Sequence, residues 1–390
     1  MFERKYVSTI VSRMREPRRF IQIVIGPRQV GKSTAVAQAL KQQDLPYHVA
    51  RADAAQPPTQ AWLRAQWVAA RSLVTQTSSS AVLFIDEIQK VANWSSVVKE
   101  LWDEDAFDGI DLRVVLCGSS SLLLAKGLSE SLMGRFELIR MPHWSYAECR
   151  DAFGLTLNEF LFYGGYPGAL GLRQDENRWI TYMRDSIIEA TLSNDVLMLE
   201  SVQKPALLRA LFMLGASYSG QEISYRKLMG QLDDAGNATT IAHYLELLGR
   251  ANLLAGIPKF GAKDLAVRNS TPRLMVYDTS LISATCATDR KLLLSDSARR
   301  GHLVESAVGA YLLGRAERGD MSVYWWREAG SECDFVLRVA GELVAVEVKS
   351  GANTNIAGTA AFLERYPKAR RIVVGPKDDS IIRFLSGEAI

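Results

Sequence analysis

The chain has 390 residues, 46 Lys and Arg against 43 Asp and Glu, a net charge of +3, and 48% hydrophobic and 23% charged residues. That length predicts two or three domains, and the composition is that of a globular protein, not of a disordered or fibrous one. No apolar run reaches the ~18 residues a bilayer span requires, the start Phe2-Glu3-Arg4-Lys5 leads into no secretory apolar stretch, and Cys117, Cys149, Cys286 and Cys333 form no C-x-x-C pair. A cytoplasmic protein is therefore expected, with no membrane partner, no disulfide framework, no zinc site, and cysteines that fill the core. A charge of +3 neither announces nor excludes a nucleic-acid partner, since local patches matter more than totals.

Residues 1–19 are basic for their length, with Arg4, Lys5, Arg13, Arg15, Arg18 and Arg19 against Glu3 and Glu16. They read either as a solvated helix face or as a contact with nucleotide or another polyanion. The apolar run Phe20–Ile25 predicts a buried parallel strand, and Ala35–Leu40 a helix. Between them stands Gly26-Pro27-Arg28-Gln29-Val30-Gly31-Lys32-Ser33-Thr34, which contains the spacing G-x-x-x-x-G-K-[ST]. In that strand-to-helix setting the glycines let backbone N–H groups converge on phosphate oxygens and the helix N-terminus adds its dipole. Lys32 is expected on the β- and γ-phosphates of a nucleoside triphosphate, and the Ser33 hydroxyl on Mg²⁺.

A second strand is predicted at Tyr47–Ala50. The run Ser80-Ala81-Val82-Leu83-Phe84-Ile85 then ends in Asp86-Glu87, as a central parallel strand carrying carboxylates to its C-terminal edge would. Asp86 is the expected Mg²⁺ holder and Glu87 the group that polarises the attacking water; the alternative is that the two acids only cap the next helix. The second acid favours hydrolysis over phosphorylation of a small substrate. The lack of an N-K-x-D segment favours ATP over GTP. A third strand, Leu112–Cys117, runs into Gly118-Ser119-Ser120-Ser121, where Ser119 either senses the γ-phosphate or is the N-cap of a helix at Leu122-Leu123-Leu124. In Ser131-Leu132-Met133-Gly134-Arg135-Phe136, Arg135 is either an arginine finger for a neighbouring subunit or half of a surface salt bridge.

The segments GPRQVGKST, LFIDEIQK, LCGSSSLLL and SLMGRF, with Phe162-Tyr163-Gly164-Gly165-Tyr166-Pro167-Gly168 after them, resemble a family of uncharacterised bacterial and archaeal AAA+-type ATPases. The resemblance spans about residues 5 to 385. It implies an AAA core that binds ATP with Mg²⁺ through residues 26–34 and Asp86, and a C-terminal domain often of PD-(D/E)XK nuclease-like make-up. A homo-oligomer is expected, a ring being one form it can take. The resemblance carries no cellular task.

From Asn158 the chain turns helical, and a lid over the nucleotide is expected from Trp179 through Leu199. Helices follow at Pro205–Leu214, Ser224–Leu232 and Ala238–Ala251, the third capped by Asn237 with Ile241, Leu245 and Leu248 on one face. Extended segments at Leu253–Pro258 and Arg273–Tyr277 complete a winged-helix pattern. Were it to read DNA, Thr239, Thr240 and His243 would face a groove, although no Lys or Arg clusters on that helix.

At the C-terminal end, a two-residue turn at Ala340-Gly341 makes residues whose numbers sum to 681 face each other, which sets Asp334 opposite Glu347 with Lys349 two residues on. Phe335, Leu337, Val346 and Val348 are expected to fill the reverse face. This is the D-(x)n-E-x-K arrangement of PD-(D/E)XK nucleases, whose acids bind Mg²⁺ and whose Lys activates water. Glu305, on a preceding helix, resembles the additional acid ligand of that fold. Asp334, Glu347 and Glu305 thus form a candidate second metal site beside Lys349, against the plainer reading of cross-strand charge pairs on a solvated face. The fold class expected is α/β: a P-loop AAA+ parallel-sheet core at 1–157, a helical and winged-helix middle at 158–285, and a PD-(D/E)XK-like α/β domain at 286–390. The function expected is ATP hydrolysis that drives or gates action on DNA. The alternative is a signalling or defence switch controlling protein partners through a non-catalytic scaffold.

Overall fold

A computed structural model of the protein describes residues 2–53, 58–76, 79–119, 131–197, 202–261, 271–286, 289–349 and 357–388. The chain divides into two compact units, Met1–Met141 and Pro142–Ile390.

The first unit is built on five parallel strands, β1 (Ile21–Gly26), β2 (Tyr47–Arg51), β3 (Ser80–Asp86), β4 (Asp111–Ser119) and β5 (Phe136–Arg140), in the order β2-β3-β4-β1-β5. Parallel neighbours need crossovers, and α2 (Lys32–Leu40), α3 (Gln60–Gln76) and α4 (Trp94–Phe107) supply them, with α1 (Tyr6–Arg15) packed on α2. Every residue of β1 and β3 is buried. Ile21, Ile23 and Ile25 share one core with Leu83, Ile85, Trp67 and Leu101. Burial on both faces is why these strands read as unbroken apolar runs without alternation. In this order β4 lies between β1 and β3, so the C-terminal ends of the three stand side by side. That is the edge where open α/β sheets place their ligands.

The second unit begins with helices Tyr146–Phe153 and Leu157–Tyr163, each opened by a capping box, Ser145 with Glu148 and Thr156 with Glu159. The Gly164-Gly165 turn after them is laced to a buried acid: Asp278 Oδ2 accepts from the Gly165 N–H at 2.7 Å, and Oδ1 accepts from the Ser280 N–H at 3.0 Å and from the Ser280 hydroxyl. Burial pushes the Asp278 carboxyl up to about 6, against these three donors. Gly164 has φ +65°, and a Cβ there would sit 1.8 Å from Asp278 Oδ1. Gly164→Ala is therefore expected to destabilise this unit by about 2–4 kcal/mol, read as a fall in the urea midpoint.

The middle of this unit contains α5 (Pro205–Ser217), α6 (Tyr225–Met229) and α7 (Ala238–Arg250), then an antiparallel pair, β6 (Leu254–Ile257) with β7 (Arg273–Val276). Asn237 caps α7, its Oδ1 accepting from the Thr240 N–H at 2.8 Å, and Ile241, Leu245 and Leu248 are buried. A four-stranded sheet closes the unit in the order β11-β10-β9-β8: β8 (Met321–Glu328), β9 (Ser331–Val339) and β10 (Glu342–Val348) are antiparallel, and β11 (Arg370–Val374) runs parallel to β10. Packed on it are α8 (Ser297–Glu317) and α9 (Ala357–Arg365). Ala340 and Gly341 both have positive φ, as a two-residue I′ turn requires. The pairs from Glu342↔Val339 to Val346↔Phe335 all sum to 681. The solvated hairpin face considered for this sheet is not observed. Phe335, Leu337 and Val346 are buried, but so are Val336 and Ala345 of the other alternation, while Val348 is only half-buried. Between Tyr324↔Val336 and Trp326↔Cys333, Asp334 and Phe335 together oppose Trp325. Such a bulge breaks the simple alternation and re-aims Asp334.

Candidate nucleotide site and acidic cluster

In the first unit, β1 delivers Gly26 to the sheet edge, where an added Cβ would lie 2.0 Å from the Met141 carbonyl oxygen; only glycine fits. The loop then passes through Gln29 at φ +57° and Gly31 at φ +88° before α2 begins at Lys32. Two left-handed residues turn the backbone into a concave nest of N–H groups of the kind that binds phosphate. Lys32 is buried, and its Nζ donates to the Gly26 carbonyl at 2.9 Å and the Pro27 carbonyl at 2.7 Å. Pro27 and Val30 are buried, Arg28 is half-buried, and Ser33 and Thr34 are exposed on the first turn of α2.

Sheet order brings the other first-unit candidates to the same edge. β4 pairs Ser119 with Gly26 on one side and Leu116 with Ile85 on the other. Ser119 therefore ends its strand beside the first glycine of the loop; residues 120–130, where its helix-capping alternative would be decided, lie outside the described residues. Asp86 is buried at the tip of β3, its Oδ1 accepting from the Glu87 N–H at 3.1 Å. Glu87 turns the chain with φ +53° and ψ +39°, a strained conformation for a non-glycine residue, and its Oε2 accepts from Gln89 Nε2 on the short 3₁₀ turn that follows.

Cys117 is fully buried between these groups: burial drives its thiol far up, the Lys32 charge opposes this, and a hydrogen bond to Asp86 adds to it. The Arg4 guanidinium, also buried, donates to the Val30 carbonyl at 3.2 Å and stands 4.9 Å from the Tyr6 ring centroid. Neither Gln89 nor Cys117 was legible as a partner of the two acids, because ordinary core and helix residues occupy such positions far more often. Arg135 is joined to Asp103 by two hydrogen bonds of 2.7 and 3.0 Å.

In the second unit the C-terminal acids meet a cation that composition and spacing did not single out. Arg273, the first residue of β7, is 2% exposed. Its Nη1 lies 3.4 Å from Glu305 Oε1 and 3.7 Å from Asp334 Oδ1 and donates to the Asp334 carbonyl at 3.1 Å, while Nη2 pairs with Glu332. Glu332 also pairs with Arg327. Asp334 Oδ2 accepts from the Val348 N–H at 2.8 Å; Lys349 Nζ donates to Glu347 Oε1 at 2.6 Å, and Glu347 Oε2 is buried with no hydrogen-bond partner among the described residues. Burial raises the Glu305 carboxyl well above the usual carboxylate range, with the Asp334 charge second, and raises Glu347 for the same two reasons. Among the described residues no group of three or more His, Cys, Asp or Glu side chains is disposed to hold a metal ion. Divalent cations demand oxygens converging within about 2.0–2.6 Å. Here the carboxylates converge on a guanidinium, so the arrangement does not fit a second metal. Of the α7 residues proposed to face a groove, Thr239 and His243 are exposed and Thr240 is engaged in the cap.

The fold and the loop geometry of the first unit are those of a P-loop α/β domain. Residues 18–150 match the family model described as AAA domain, and residues 155–292 and 300–385 match models described as domain of unknown function (DUF8612) and domain of unknown function (DUF4143). An uncharacterized protein of Mycobacterium tuberculosis is 26% identical over 337 residues, which cover 86% of this chain and 71% of that protein. An uncharacterized protein of Methanocaldococcus jannaschii is 26% identical over 274 residues, covering 65% and 58%. Among solved structures, a variant of Thermotoga maritima RuvB superposes with a TM-score of 0.34 at 18% identity over 65% of this chain and 88% of that one. AMPPCP-bound DnaA of Aquifex aeolicus does so with a TM-score of 0.34 at 13% identity over 64% and 89%. Among the described residues no helix is long and apolar enough to cross a membrane.

Proposed function

We propose that the first unit binds ATP with Mg²⁺ and hydrolyses it, and that the hydrolysis cycle acts on DNA through the C-terminal sheet of the second unit. The observation that carries the ATPase reading is the shared edge: the loop closing on Lys32 and the pair Asp86-Glu87 end neighbouring strands on either side of β4. Backbone N–H groups of residues 28–34 hold the phosphates, and Lys32 exchanges its two carbonyl partners for β- and γ-phosphate oxygens. The Ser33 hydroxyl and the Asp86 carboxylate are hard oxygen donors suited to Mg²⁺, which when bound neutralises charge on those phosphates. Glu87 orients and polarises the attacking water, and Ser119 senses the γ-phosphate. In an oligomeric ring Arg135 serves a neighbouring subunit's nucleotide, for which it must release Asp103.

DNA as the target is supported by the β9–β10 register, which runs to Val346↔Phe335, and by the Val348 N–H donating to Asp334 Oδ2 just beyond it, an arrangement that resembles the acid pair of PD-(D/E)XK folds. A second reading, a nucleotide switch acting on protein partners with this sheet as scaffold, is supported by Arg273 standing among the acids. ATP hydrolysis measured with single-stranded, duplex and branched DNA separates them. Stimulation by any of the three is expected; a rate indifferent to all three favours the switch.

A further inference from the structure

The acidic cluster of the second unit assembles charges from two segments that match different family models. Glu305, Glu332, Asp334 and Glu347 lie in the segment matched by the C-terminal model, and Arg273 lies in the one before it. The contact is specific in form. The guanidinium engages Glu332 at one nitrogen and Glu305, Asp334 Oδ1 and the Asp334 carbonyl around the other. It is nearly inaccessible to water, with the Trp325 ring centroid 5.5 Å from its Cζ. A planar fork of five donors suits several carboxylates at once, which a Lys ammonium would not. Asp334 sits at the β8–β9 bulge, where simple alternation is broken, with its Oδ1 3.7 Å from the guanidinium. Acids gathered in this way, Glu347 buried and Glu305, Glu332 and Asp334 half-buried, would repel one another without compensation. A divalent ion beside the guanidinium would in turn be repelled by it.

We propose that Arg273 is the resident cation of this cluster: its guanidinium stands where a divalent metal would be coordinated and clamps the β6–β7 hairpin to β9 and α8. Docking of the hairpin and binding of a metal at Glu305, Asp334 and Glu347 are then mutually exclusive, and the C-terminal sheet is held metal-free for as long as the hairpin is seated. The orphaned Glu347 Oε2 is the oxygen left over by this exchange of a metal for an arginine. By reciprocity, whatever draws Arg273 out raises metal affinity, and metal at sufficient concentration weakens the clamp.

The test uses the full chain without nucleotide and Mn²⁺ as the probe, with bound ion counted from the loss of the free-ion electron paramagnetic resonance signal. Wild type and Asp334→Asn are expected to bind the same number of Mn²⁺ ions. Arg273→Ala is expected to bind one more per chain, to melt at a higher temperature with Mn²⁺ than without, and to lose both gains in the double variant Arg273→Ala/Asp334→Asn. Should Arg273→Ala fail to fold, Arg273→Gln, which keeps a donor for the Asp334 carbonyl, takes its place with the same expectation. The proposal is overturned if Asp334→Asn alone removes a bound Mn²⁺ from the otherwise unaltered chain, since metal and Arg273 would then coexist. It is equally overturned if a folded Arg273 variant gains no ion. Neither outcome depends on ATP hydrolysis, so the ATPase reading stands or falls separately.

Discussion

Glu87→Gln is expected to retain nucleotide and to turn it over about 10²–10⁴-fold more slowly than the unaltered chain. The substitution keeps size, shape and an acceptor oxygen, and it removes the negative charge that draws a proton from the attacking water. Nothing else at the site needs to move. Asp86 keeps its hydrogen bond to the backbone N–H of residue 87, and Gln89 still faces a side-chain amide where it faced a carboxylate. Lys32→Ala is the contrasting variant. Its Nζ is buried against the loop carbonyls, so its loss removes the positive charge meant for the phosphates and leaves those carbonyls without their donor. It should lose tight nucleotide binding, measured with a fluorescent ATP analogue, where Glu87→Gln keeps it. Hydrolysis at the normal rate by Glu87→Gln would remove Glu87 from the mechanism and shift attention to Ser119 and Gln89.

Local pattern explains which parts of this molecule were legible in the sequence. The loop at 26–34 and the run ending in Asp86-Glu87 announce themselves because their chemistry is packed into nine and eight consecutive residues, and the Ala340-Gly341 turn determines a register by arithmetic alone. Strand order is different. That β4 lies between β1 and β3 follows from packing of whole crossovers, and no single residue reports it. The bulge at Asp334 was hidden because alternation was the rule used to read the hairpin, and the bulge is where that rule is broken. Arg273 was hidden by distance: it reaches Glu305, 32 positions on, and the Asp334 carbonyl, 61 positions on, from a strand whose apolar neighbours made it look like ordinary core. Burying an arginine on such a strand requires partners brought from elsewhere in the fold.

The same lesson applies to the first unit, where the largest effect on stability is expected from a residue outside every motif. Asp105, on α4, is completely buried. It accepts from Trp67 Nε1 at 2.9 Å and from Arg71 Nε at 2.5 Å, both on α3, and Arg18 Nη2 lies 4.0 Å away from the segment before β1. Arg18 itself lies over the Trp102 ring at 3.5 Å and donates to the carbonyls of Trp102 and Leu112. One carboxylate thus ties α3, α4 and the entry to β1 around two cations. Asp105→Ala would leave a buried indole N–H without its acceptor and the Arg71 guanidinium with only the Leu101 carbonyl and Glu104, and is expected to cost about 3–5 kcal/mol.

Asp105→Asn should cost much less, about 1–2 kcal/mol, for a reason visible in the titration of the acid. Burial raises the Asp105 carboxyl above its usual value, outweighing the hydrogen bond from Trp67 and the attraction of Arg71. A folded-state pKa above the unfolded one means the native chain holds the extra proton between the two, so this group's contribution to stability grows as pH falls through that window. Asn carries no charge to desolvate, and the variant should lose this part of the pH dependence. Urea midpoints of the three proteins at neutral and mildly acidic pH measure both effects. An Asp105→Ala midpoint indistinguishable from the unaltered chain would show that the Arg71 and Arg18 contacts rearrange freely, and Asp105 would then hold nothing together.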